Sequence, residues 1–129
     1  MANEKIIARQ YNLSGVAKLT IANMGAGNGF DFNIPAGSLL LRAGIITTVA
    51  FNSVTTATGT VTDGTTVFVN AQDLKSAAGF ETAAVVGKYY PTGGTISVNM
   101  AETGGAATAG EAVAFVEYIR LGSQSENQF

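Results

Sequence analysis

Apolar and polar positions alternate along this chain with the period of a strand far more often than with that of a helix. The alternation is cleanest in Thr95-Ile96-Ser97-Val98-Asn99-Met100, which sends Ile96, Val98 and Met100 to one face and three polar side chains to the other. The pattern predicts strands over Lys18–Asn23, Leu39–Phe51, Thr58–Thr62, Thr65–Val69, Thr95–Met100 and Glu111–Leu121. Glycine interrupts it at short intervals and the prolines stand only at Pro35 and Pro91, as in short strands joined by turns. Between two of these strands, Asp63-Gly64 predicts a type I′ hairpin turn with positive φ at both central positions. Asp63 is accordingly read as a turn residue before a metal ligand or catalytic carboxylate.

One segment breaks the strand pattern. Ala71–Ala78 predicts a helix of about two turns, with Asn70 as N-cap, Asp73 as a cap or dipole partner in the first turn, and Gly79 at the left-handed C-terminal position. A helix that short needs the sheet it follows to hold it. The closing strand is unusual in another way, because both of its faces are apolar. Val113, Phe115, Ile119 and Leu121 point one way with Glu117 among them, and Ala112, Ala114, Val116 and Tyr118 point the other way with Arg120. A strand covered on one side does not look like this. Either its outer face is covered by another segment or subunit, or Glu117 marks where that face meets water. Two glycine-rich stretches, Met24–Gly29 and Gly104–Gly110, read as mobile loops.

These elements make an all-β fold, an antiparallel β-sandwich with one short helix after a hairpin strand. Three regions follow: an extended N-terminal arm over 1–14, a single sandwich domain over 15–122, and a flexible polar tail over 123–129. At 129 residues the chain is long enough for one such core. The arm carries one short apolar stretch, Ile6-Ile7-Ala8, amid charged and amide side chains. It reads as a segment that pairs with a neighbour's strand or as an ordinary edge strand.

Composition narrows the function. Charged residues make up 12% of the chain, about half the usual share, so the polar surface must consist largely of Thr, Ser, Asn, Gln and backbone. A surface so poor in charge is suited to being covered by other copies or by a larger assembly. A net charge of −2 with seven scattered Lys and Arg argues against nucleic acid, because neutralising phosphates takes clustered cations. No apolar stretch reaches the roughly 18 residues needed to span a bilayer, and residues 1–11 lack a secretory apolar core, so a soluble, cytosolically made protein is expected. There is no Cys, hence neither disulfide nor thiolate metal site, and no His, the usual general base. No Ser, Thr or Lys has an activating neighbour in the sequence. Asp31, Asp63, Asp73, Glu81, Glu102, Glu111 and Glu117 offer carboxylates for glycosidase-like chemistry, but their spacing singles out no pair. The Gly25-Ala-Gly27-Asn-Gly29 run falls short of a phosphate loop. A non-enzymatic protein without a cofactor is expected, with a loop-held Ca2+ left open because such sites need no fixed motif.

Phe32-Asn-Ile-Pro-Ala-Gly37, Thr47-Thr-Val-Ala-Phe51, Thr60-Val-Thr-Asp-Gly64, Asn70-Ala-Gln-Asp-Leu74 with Ala77-Ala-Gly79, and the closing Gly110-Glu-Ala-Val-Ala-Phe-Val-Glu-Tyr118 together resemble small structural proteins of tailed bacteriophages. Head decoration (cement) proteins look most similar, over roughly residues 30–121. The resemblance implies a jelly-roll-like sandwich on the outer capsid surface of the virion, made in the host cytoplasm. It also implies binding to the major capsid protein, as a homotrimer, to stabilise the shell. Lys5, Ile6, Ile7 and Arg9 of the arm are then the residues expected to reach a neighbouring subunit. The alternative is a tail-fibre or host-surface glycan-binding module, for which Tyr89 and Tyr90 supply the only aromatic platform in the sequence.

Overall fold

A computed structural model of the chain describes residues 12–75, 79–80 and 85–121. The strands among them are β1 (Leu13–Thr20), β2 (Phe30–Ile34), β3 (Ser38–Val49), β4 (Thr56–Thr62), β5 (Val67–Asp73), β6 (Gly79–Phe80), β7 (Val85–Tyr90), β8 (Gly94–Thr103) and β9 (Glu111–Arg120). They form two sheets. One runs β1-β9-β3, with β6 and β7 both on the far side of β3, and the other runs β2-β8-β4-β5. Every strand pairing is antiparallel, and the pairs are nested: β1 with β9, β2 with β8, β3 with β6 and β7, β4 with β5. The chain is therefore one long hairpin, with its tip at the Asp63 turn, folded over into two layers.

The core lies between the layers. Leu19, Leu40, Ala43, Ile45, Ala112, Ala114 and Val116 enter it from the first sheet, and Ile34, Ala57, Val61, Ile96, Val98 and Met100 from the second. The fold is thus the antiparallel all-β sandwich expected, and β8 alternates as its sequence demands. Three strands escaped sequence reading, β2, β6 and β7, because each is short and β2 and β7 are broken by polar or glycine positions, while Gly79 of β6 was expected to end a helix. β1 begins at Leu13, inside the segment assigned to the arm, and ends at Thr20. There a capping box turns the chain into a 3-10 turn over Ile21–Asn23, where more strand was expected.

The expected helix is not formed over the described part of its segment. Ala71, Gln72 and Asp73 belong to β5, Gln72 opposite Gly59 and Asp73 opposite Thr58. Leu74 is fully buried, and its backbone bonds to Ala57 O and to Phe51 N–H. Pairing with β4 and burial of Leu74 outweigh a helix of two turns, which has little stability of its own. Asp73 accepts from the Lys75 N–H, a local turn contact in place of the expected cap. The Asp63 turn also differs from expectation. Only Gly64 has positive φ, and Asp63 Oδ1 instead accepts the N–H groups of Thr65 and Thr66 at 2.9 and 2.6 Å.

Both glycine-rich loops are tied down. Gly25 N–H donates to Met100 O, and Asn23 and Asn28 side chains close the 24–29 loop on itself. Opposite, Asn52 Oδ1 accepts from Thr108 and Ala109 N–H, while the Glu102 carboxylate accepts from Ser53 Oγ and Ala107 N–H at 2.7 and 2.8 Å. Lys75 Nζ donates to the carbonyls of Ser53 and Val54 in the same region.

Candidate functional site

The outward face of the β1-β9-β3 sheet is where the closing strand's second apolar face lies. Register fixes its rows. Lys18, Val113 and Ile46 form one, Val16, Phe115 and Gly44 the next, then Ser14, Glu117 and Arg42, and finally Ile119, Leu39 and Tyr89. Val16 is 67% exposed and Tyr89 50%, while Ile46, Val113 and Ile119 are half-buried by their neighbours. Glu117 is not an isolated charge. It receives Arg42 across the strands at 3.3 Å, and Lys18 pairs with Glu111 at 3.2 Å. Among the described residues these two positive and two negative groups balance, and exposed pairs of this kind add little to stability.

The opposite outer face, on β2-β8-β4-β5, is of another character. β4 sends Thr56, Thr58, Thr60 and Thr62 outward beside Thr103, Ala101, Asn99 and Ser97 of β8, with Asp31 and Asn33 of β2 beyond. Over the described residues the sandwich thus has one largely apolar face with paired charges and one face built mainly of hydroxyls and amides, with Asp31 among them.

Sequence reasoning missed the tightest polar cluster. Asp63 Oδ2 accepts from the Tyr90 hydroxyl at 2.8 Å and from Lys88 Nζ, and Lys88 also donates to Thr66 Oγ1 at 3.1 Å and sits 5.3 Å above the Tyr90 ring. The Asp63 side chain is 4% exposed. Burial alone would push its carboxyl up, but Lys88, the Thr66 and Thr65 N–H groups and the Tyr90 hydroxyl together hold it well below the usual carboxylate range. Burial, the hydrogen bond to Asp63 and the negative charge of that carboxylate push the Tyr90 phenol up. All of its partners are internal, so the cluster fastens β7 of one sheet to the β4–β5 turn of the other.

This settles where the predicted residues sit. Tyr89 and Tyr90 are neighbours on β7 and face opposite ways. Tyr90 is 6% exposed with its hydroxyl bound to Asp63, so the pair does not form a stacking platform and only Tyr89 reaches the surface. Lys5, Ile6, Ile7 and Arg9 lie outside the described residues, as do residues 122–129. Among the described residues no three Asp or Glu side chains gather as a cation site would require. Comparison with protein-family models, with curated proteins and with solved structures gave no match.

Proposed function

We propose that this protein is a non-enzymatic structural component of a tailed-phage virion that binds the outside of the capsid and stabilises the shell. The observation that carries this is the contrast between the two outer faces. One is apolar with its charges paired, suited to another protein surface, and the other is hydroxyl-rich, suited to water. The nested strand pairing supports the jelly-roll arrangement, and the charge-poor composition supports a life spent largely covered. The partner is the major capsid protein, reached through the β1-β9-β3 face and the N-terminal segment containing Lys5, Ile6, Ile7 and Arg9, with copies grouped as trimers. At about 25 cal/mol per Å2, a few hundred Å2 of apolar contact per copy contributes several kcal/mol gross, less the cost of ordering, and the gain repeats over the shell.

The test is co-sedimentation of purified protein with shells lacking it. Val16→Asp places a charge on the apolar row at a solvent-exposed position, so the variant folds but loses binding at least tenfold. Deleting residues 2–10 leaves the sandwich folded and likewise abolishes binding. Folded variants that both sediment as wild type would sink the assignment of these surfaces.

A further inference from the structure

The hydroxyl-rich face is not uniform. Just before β2 begins at Phe30, opposite Val98, the 24–29 loop lies beside β8, Met24 bridging to Met100 and Gly25 N–H donating to Met100 O at 2.9 Å. The loop thereby walls a groove of about 380 Å3, lined by Ala26, Gly27, Thr58, Thr60, Asn99 and Ala101. That is the lower part of the range for small-ligand sites.

Three properties of the lining identify its ligand. Among the described residues no Lys, Arg, Asp or Glu lines it, so neither an anion nor a cation would find a counter-charge in this lining. Its polar groups converge without being used up. At either end of the β4 row, Thr56 bonds to Thr103 and Thr62 bonds to Thr66 O, but between them the side chains of Thr58 and Asn99 make no hydrogen bond to any described residue. Thr60 Oγ1 accepts only the Ala71 N–H, which leaves its proton free to donate. Around these donors and acceptors lie small apolar surfaces, Ala26, Ala101 and the threonine methyls. The pleat sets the polar groups about 5 Å apart across strands and about 7 Å apart along β4. A rigid ligand with hydroxyls around a carbon ring meets both demands, its hydroxyls on the Thr and Asn groups and its C–H face on the methyls.

We propose that this groove binds a neutral sugar ring, held by Thr58, Thr60 and Asn99. The site is on the opposite side of the sandwich from the apolar face and does not depend on capsid binding. A copy bound to a shell through β1-β9-β3 would present it outward.

Amide chemical shifts of the isotopically labelled full chain, titrated with glucose, galactose and N-acetylglucosamine and with linear oligosaccharides of each at millimolar concentration, test it. Shifts confined to residues 24–29, 58–60 and 99–101 with at least one sugar are expected. Binding of an oligosaccharide alone assigns the site to a polymer such as a cell-surface glycan, and binding of the monosaccharide as well assigns it to free sugar. Thr58→Val, which keeps shape and removes the hydroxyl, weakens binding at least fivefold, and Ala101→Arg, which fills the groove without removing any polar group, abolishes it. Absence of groove shifts with every sugar tested, or unchanged binding in both folded variants, overturns the proposal.

Discussion

Replacing Asp63 with alanine removes the carboxylate that joins the two sheets at the hairpin tip. Three kinds of partner lose it. The Tyr90 hydroxyl is buried and is left unsatisfied, which costs roughly 1–3 kcal/mol. Lys88 is about one third exposed and can turn to water, so its loss counts for well under the 3–5 kcal/mol of breaking a fully buried pair. The Thr65 and Thr66 N–H groups belong to exposed residues and can hydrate. The sum is roughly 2–4 kcal/mol, or a fall in Tm of about 10 °C for a domain of this size. The pH dependence is the sharper signature. Because the folded Asp63 carboxyl is held below its unfolded value, its contribution is present above about pH 4 and is lost as pH falls further. Wild-type Tm should therefore drop from pH 5 to pH 3 more steeply than that of Asp63→Ala. The assay is calorimetry of both proteins and of Asp31→Ala, an exposed control on β2 expected within about 0.5 kcal/mol of wild type. A Tm change under 2 °C, or parallel pH profiles, would show that the cluster does not fasten the sheets.

Other expected outcomes follow from the same geometry. Tyr90→Phe loses the bond to Asp63 and about 1–2 kcal/mol. Since the folded phenol titrates above its unfolded value, that contribution persists below about pH 10 and fades as pH rises beyond it, so wild type and variant should converge in alkaline denaturation curves. Gly29→Ala places a Cβ 1.7 Å from Val98 O, a backbone atom that cannot move aside, and should lower stability by more than about 3 kcal/mol in urea titration. Gly27→Ala meets no atom within 4 Å and bears only the strain of positive φ, about 1 kcal/mol, so a reversed order of the two would contradict the packing described. Glu102→Gln keeps the shape but weakens the bonds from Ser53 and Ala107, and amide exchange should quicken in the 104–110 loop while the sheets keep their protection.

What the sequence made legible was whatever one strand decides by itself. Ile96, Val98 and Met100 declared their buried face through alternation. The two-faced apolarity of β9 announced a central strand with a second surface. Three features were hidden because their cause lies far along the chain. Ala71–Asp73 carries helix signals, yet β4 recruits it as a strand and Leu74 is drawn into the core. Asp63-Gly64 satisfies a two-residue turn rule, yet Thr65, Thr66 and β7 claim the carboxylate. Tyr89 and Tyr90 look like a pair until β7 pairs with β3 and the pleat sends them to opposite faces. Lys88, two residues before Tyr90 in an alternating strand, was the available signal that one of these tyrosines shares a face with a cation. The groove beside Thr58 and Asn99 needed the strand order and the path of the 24–29 loop, neither of which a linear pattern encodes.

The central claim is that this chain covers a phage shell in many copies. Quantitative mass spectrometry of purified virions, counting this chain against the major capsid protein, tests it most directly. A ratio near one copy per capsid subunit, or one per few, is the predicted result. A handful of copies per particle, or none, would contradict it.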